Sequence, residues 1–295
     1  MAHSPYDVTL DSDVIRQIRS LTHNTGGSVI QGFGSGEAVP AAMFQGDSPH
    51  SSQMQSTDLG TLLALNTSTF ISVGLAVLGA TTSVPFRKRA DGGIFTSGAA
   101  HMAIQSSNTL IVPDSISAGQ GESAVMDCTL RYRSADGFAS SVSEVTSQTL
   151  AAATFVGEYV LHSIDLAGTD VPELQGVTIN PGINVTEQKQ GGGPFAAAFF
   201  ENEVLPTIEI QTEDAETASG LVDAATLGSG VVVYFAKRIA GGIIESTATT
   251  AHISITAAAG LRQAITLGGD GRSNSSGTIR VNPLALTAAV GVAIP

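Results

Sequence analysis

The stretch Phe86-Arg87-Lys88-Arg89-Ala90-Asp91-Gly92-Gly93-Ile94 has an echo later in the same chain. Phe235, Lys237, Arg238, Gly241, Gly242 and Ile243 repeat its Phe, Lys-Arg, Gly-Gly and Ile at a constant spacing of 149, about half of the 295 residues. The match continues with small slips: Ser97 answers to Ser246, and His101, Ile104 and Leu110 answer to His252, Ile255 and Leu261. Further on, Gly119 and Gly121 answer to Gly269 and Gly271, and Arg131 to Arg280. Upstream, Gln55, Thr57 and Asp58 open a short helix-like stretch as Gln211, Glu213 and Asp214 do, after which the first copy carries about seven extra residues. Slips of this size belong in turns. The charged pair followed by Gly-Gly-Ile distinguishes the match from the chance alignments of a chain rich in Gly, Ala, Ser and Thr. The reading is a duplicated domain of about 145 residues, with residues 1–148 forming one unit and 149–295 the other. Two copies are too few for a solenoid, because a domain of that length can bury its own core.

Hydrophobic periodicity points to strands. Tyr159 to Leu166 alternates, Val177 and Ile179 flank Thr178, Ile208 and Ile210 flank Glu209, and Ile253 and Ile255 flank Ser254, all at the two-residue period of half-buried strands. Val231 to Phe235 is continuously apolar, which predicts a strand covered on both sides, and residues 71–80 read as a buried strand too short to span a bilayer. Glycine-rich breaks at Gly26-Gly27, Gly92-Gly93, Gly191 to Gly193, Gly241-Gly242 and Gly268-Gly269 suit hairpin turns, so antiparallel sheets are expected. Helices are fewer. Asp58 could cap one bearing Leu59, Leu62 and Leu63; Asp11 or Asp13 precedes Val14, Ile15, Ile18 and Leu21 at helical spacing; Asp214 to Val222 is a shorter candidate. The predicted fold is mainly β: two similar antiparallel β-sandwiches or partly closed barrels, each with about one short flanking helix, joined near residues 139–153.

Composition bounds the chemistry. The chain has 33 Gly, no Trp, 5% aromatic and 13% charged residues, well below the roughly 25% charged of an average globular protein. Such a smooth surface suits contacts with copies of itself. Lys and Arg total 13 against 26 Asp and Glu, a net charge of −13 that argues against wrapping nucleic acid. The single Cys128 cannot form an intrachain disulfide, and the N-terminal Met-Ala-His-Ser-Pro-Tyr-Asp lacks the basic start and apolar run of a signal peptide. No membrane partner is expected. The Asn-x-Ser/Thr triplets at Asn66, Asn184 and Asn274 are what a Ser/Thr-rich chain produces by chance.

Common catalytic motifs are missing from the sequence: there is no nucleophile elbow, phosphate-binding Gly-rich loop with Lys, His-Glu-x-x-His or Cys-x-x-Cys. Gly32, Gly34 and Gly36 lack the strand-to-helix setting of a dinucleotide site and read as a turn. His101 and His252 stand at equivalent places just before alternating strands; they could be ion ligands or a pH switch, and the simpler reading is a strand-end His bonded to backbone. Cys128, beside Asp127 and in step with Met126 and Leu130, reads as a small strand residue. The pairs Asp11 with Asp13 and Glu201 with Glu203 read as solvated loops. No enzyme, cofactor or metal is expected.

Four of the 13 basic residues sit in the repeated pairs Lys88-Arg89 and Lys237-Arg238, so an acidic molecule presents positive charge at two equivalent places. With Gly92-Gly93 and Gly241-Gly242 as turns, these residues are candidate inter-subunit hairpin arms that meet an acidic edge on a neighbouring copy. A solvated hairpin tip is the alternative, and contact with phosphate a weaker one.

The succession Val177-Thr178-Ile179, Gly182-Ile183-Asn184-Val185, Pro194-Phe195 and Pro206-Thr207-Ile208-Glu209-Ile210 with Thr212 and Asp214 resembles the tail tube (major tail) proteins of long-tailed bacteriophages. The resemblance implies a β-sandwich or barrel core with a flanking helix and stacked rings forming a tube through which DNA is ejected. It also implies a place in the virion tail after synthesis in the host cytoplasm, with other phage tail proteins as partners. Most such proteins form hexameric rings; those with a duplicated tube domain form trimeric rings of pseudo-sixfold symmetry, which the internal repeat fits. Three copies at −13 each give a ring of −39, so DNA transiting a lumen lined by that charge would be repelled rather than held. The alternative is a capsid shell or decoration protein, which gives no particular reason for internal duplication. A carbohydrate-binding surface protein ranks below it, since the chain has no Trp and four Tyr.

Overall fold

The structure, a computed structural model, describes residues 3–33, 39–66, 69–90, 94–98, 100–214, 225–227, 230–268 and 276–295. Among them the fold is mainly β. The first half contains β1 (His3–Pro5), β2 (Val8–Leu10), β3 (Asp13–Ile15), β4 (Ile18–Asn24), β5 (Val29–Phe33), β6 (Pro40–Gln45) and β7 (Ser51–Ser56). Helices α1 (Leu59–Ala64) and α2 (Phe70–Val73) follow, then β8 (Leu75–Lys88), β9 (His101–Gly119), β10 (Val125–Tyr132) and β11 (Ser143–Gln148). The second half contains β12 (Glu158–Leu166), β13 (Leu174–Asn180), β14 (Ile183–Lys189), β15 (Ala196–Val204) and β16 (Thr207–Thr212). It ends with β17 (Ala225–Leu227), β18 (Val231–Arg238), β19 (His252–Gly268) and β20 (Ser276–Val292).

Sixteen of these strands join in one antiparallel sheet, and β5–β6 and β14–β15 form two separate hairpins. The pairing order is the same in both halves. In the first, β2, β8, β9, β10, β7 and β4 lie side by side; in the second, β12, β18, β19, β20, β16 and β13 do. Register agrees as well, although it makes Thr129, and not Arg131, the counterpart of Arg280. Phe86 faces Met102 as Phe235 faces Ile253; Ile111 faces Leu130 as Arg262 faces Val281; and His23 faces Ser52 as Ile179 faces Ile208. The bulges coincide: the β9–β10 ladder skips Asp114, and the β19–β20 ladder skips Ile265. A bulge at one place in two ladders re-aims both strands in the same way.

The halves meet along β9 and β13, where Ile116, Ser117, Ala118 and Gly119 pair with Ile179, Thr178, Val177 and Gly176. One buried apolar cluster runs through both, from Val8, Leu10 and Ile15 to Ile253, Ile255, Ile279 and Val281. The two helices of the first half pack on β20 of the second. Asp58 caps α1 as expected, accepting from the Thr61 N–H at 3.2 Å, and Leu59, Leu62 and Leu63 are buried.

Several expectations are corrected. Residues 13–21 are not helical: Asp11 (φ +56°) and Gln17 (φ +54°) turn the chain, and β-branched Val14, Ile15 and Ile18 extend it into β3 and β4. Residues 71–80 are not one buried strand. α2 ends at Gly74, whose φ of +70° needs glycine, and Leu78 in β8 is exposed. In β18, Val231, Val233 and Phe235 are buried whereas Val232 and Tyr234 are half-buried, so its coverage alternates. Gly32 lies in β5 and not in a turn, and Glu201 and Glu203 are exposed positions of β15 and not loop residues. The 139–153 segment contains β11, which pairs with β9. Gly34, Gly36 and the body of the Asp214 to Val222 candidate helix lie outside the described residues. No helix among the described residues is long and apolar enough to cross a membrane.

Candidate assembly site

The repeated motif builds the same local structure twice. Lys88 ends β8 and Lys237 is the last residue but one of β18, and their N–H groups donate to His101 Nδ1 at 3.1 Å and His252 Nδ1 at 3.0 Å. The described parts of the two loops then close alike. Ala90 N–H donates to Ile94 O as Ile239 N–H does to Ile243 O, and Thr96 N–H donates to Lys88 O as Glu245 N–H does to Lys237 O. Arg89 bridges to Phe95 as Arg238 does to Ile244. Each histidine is thus a strand-end acceptor of a backbone donor. In His252 the accepting Nδ1 places the proton on Nε2, which lies 2.8 Å from Ser246 O. Burial, with Arg87, His3 and Lys88 nearby, pushes the His101 pKa down, which favours the neutral ring that this bond needs.

The four basic residues do not behave alike. Lys88 ends β8, opposite His3 of β1. Arg89 lies 4.8 Å from the Phe95 ring centroid, with Arg87 at 4.1 Å from the same centroid. Lys237 approaches Glu245 at 4.0 Å. Arg238 joins the two halves: its guanidinium donates to Glu158 at 2.9 Å, to Ser123 Oγ and to Gly121 O at 3.4 Å. Ala124 N–H adds a bond to Tyr159 O at 2.6 Å beside it. Gly241 (φ +89°) and Gly242 (φ +78°) form the second loop's turn, a conformation L side chains resist. Gly92 and Gly93 lie outside the described residues. At the tips, Ile94 and Ile243 occupy the same place and are 74% and 63% exposed.

A second surface was not read from the sequence. Strands β4, β7, β10, β9, β13, β16, β20 and β19 follow one another in the sheet. Leu21, Met54, Cys128, Ile116, Val177, Ile210 and Ile279 turn one face of this run toward the core, although Leu21 is only partly buried. The alternate positions, among them Thr22, Gln53, Thr129, Ser117, Thr178, Gln211 and Thr278, give the other face mainly hydroxyls and amides. Asp127 there accepts from Gln55 and Ser115, both at 3.0 Å, and Glu209 pairs with Arg280 at 3.1 Å. The run begins at β4 and ends in the outer part of β19. Only cross-strand pairing could reveal it, because no single stretch of sequence signals which strand ends stand at the edge.

Cys128 is buried in β10, and burial beside Asp114 and Asp127 pushes its thiol pKa well up, the opposite of an activated nucleophile. Among the described residues no group of three His, Cys, Asp or Glu could hold a metal ion. No protein-family model matches the chain, and no curated protein matches it.

Proposed function

We propose that this is a structural protein of a bacteriophage particle that assembles with itself into stacked rings, forming the tail tube through which DNA is ejected. The observation carrying the reading is that six strands occur twice in one order and register, joined edge to edge within the chain. A molecule built of two like units already joined side by side is suited to repeat that join around an axis, hiding strand edges that would otherwise aggregate. On this reading the halves are a duplicated domain, and three copies supply six units. Eight strands per copy would give a 24-stranded barrel. At about 4.8 Å between strands and a tilt of about 40°, its backbone diameter is about 48 Å. Side chains reaching inward by about 5 Å leave a channel roughly 38 Å wide, enough for duplex DNA. The polar face of small hydroxyls and amides would line that channel, and the exposed Ile94 and Ile243 tips supply six apolar contacts for a stacked ring.

Negative-stain images of the purified protein or of the particles containing it test the reading. Annular end views with an open channel are expected. Density confined to an icosahedral shell would favour the second reading, a capsid shell or decoration protein. Tight binding of duplex DNA by isolated rings at physiological salt would argue against a conduit, which has to release what passes through it.

A further inference from the structure

The contact between β9 and β13 inside the chain has a second, unfilled counterpart. By the shared register, β4 occupies the place of β13, with Thr22 and His23 standing for Thr178 and Ile179. The outer part of β19 occupies the place of the end of β9, with Leu267 and Gly268 standing for Ile116 and Ser117. Within the chain the β13 positions are paired to the β9 positions. Among the described residues, β4 pairs only with β7, and β19 beyond Arg262 pairs only with β20. Among the described residues each half therefore carries one used and one open edge. The two open edges are the two sides of the same join.

Burial supports this independently. Ile116, covered at the join, is 0% exposed, whereas its counterpart Leu267 is 45% exposed. Val177 and Ile179 are buried, and their counterparts Leu21 and His23 are only half-buried. Core-facing positions at both open edges thus lack the cover that the same positions receive inside the chain. β4 and β19 cannot pair with each other inside one chain, because they stand at opposite ends of the eight-strand run.

We propose that β4 of one copy pairs antiparallel with β19 of the next, His23 opposite Leu267 and Thr22 opposite Gly268, in the register that Ile179 and Thr178 keep with Ile116 and Ser117. The contact is head-to-tail, so it closes into a ring or propagates as a filament. The inference rests on the reading that the chain assembles with itself, and names the edge by which it does so.

Thr22→Cys combined with Gly268→Cys tests it. Both positions lie on the polar face, and a Cβ at Gly268 meets nothing nearer than Ser276 Oγ at 3.7 Å. Oxidation of assembled protein should yield a non-reducing ladder ending at a closed species and collapsing to monomer on reduction. Each single variant should give no ladder, and Thr22→Cys paired with Gln263→Cys, off register, much less cross-linking. As a second readout, Leu267→Glu should abolish assembly while leaving the monomer's far-ultraviolet circular dichroism unchanged. Intact rings in which the matched pair does not cross-link and Leu267→Glu still assembles would overturn the edge assignment and leave the ring reading standing. Failure of the unmodified protein to form any ordered assembly would overturn both.

Discussion

Truncating Ile116 and Leu267 to Ala in separate variants sets two equivalent residues against each other. Ile116 is fully buried at the join inside the chain, so Ile116→Ala should destabilise the folded chain by about 2–5 kcal/mol through lost transfer energy and a residual cavity. Leu267 is 45% exposed, and Leu267→Ala should leave the monomer within about 0.5 kcal/mol of the parent. Its cost should appear on assembly. Burying a leucine fully stabilises by about 1.5–3 kcal/mol, and about half of that remains to be gained here, or about 1 kcal/mol per edge. That corresponds to about a fivefold loss in the association constant of each edge, and on the order of a hundredfold over a three-membered ring. Urea unfolding of dilute protein reads the first quantity and sedimentation velocity across a concentration series reads the second. Equal destabilisation of the monomer by both variants, or unchanged assembly of Leu267→Ala, would refute the equivalence.

Replacing His101 or His252 by Ala removes the acceptor for the Lys88 or Lys237 N–H and should lower the unfolding free energy by about 1–3 kcal/mol each, measured by urea titration. His101, His23 and His50 all have pKa values below the usual 6.5, mainly through burial. Their neutral forms therefore contribute stability that is fully present above pH 6.5 and lost as pH falls from there through the folded-state values. The unfolding free energy from urea titration should drop between pH 7 and 5, by at most about 1.4 kcal/mol per pH unit for each ring, and His101→Ala should lose part of that slope. Cys128, buried and with its thiol pKa raised, should react with a thiol reagent only at the rate of unfolding; fast labelling of native protein would contradict its place in the core.

Sequence and structure agree where a pattern is local. The two-residue alternation of Met126, Cys128 and Leu130, or of Val177 and Ile179, is the pleat itself, and Asp58 followed by Leu59, Leu62 and Leu63 is a capped helix by chemistry alone. The reading of residues 13–21 fails for a physical reason. Val14, Ile15, Ile18 and Leu21 fit helical spacing, but non-glycine residues at positive φ, Asp11 and Gln17, break the segment into short strands. Such conformations are uncommon enough that no pattern announces them. Lys88, Arg89, Lys237 and Arg238 stood out as a repeat, yet of the four it is Arg238 that reaches across the join between the halves, because Gly121 and Ser123 of the first half, distant in sequence, lie beside it. The open edges at β4 and β19 were illegible for the same reason: an edge is defined by what fails to pair with it, which emerges only from the whole sheet.

The central claim is that the doubled strand order supplies the symmetry of a self-assembled ring. Averaged end views of the assembled protein by negative-stain electron microscopy address it most directly. The account predicts annuli with an open channel and six similar lobes whose density is modulated threefold. Isolated monomers at high concentration, or protein found only on an icosahedral shell, would contradict it.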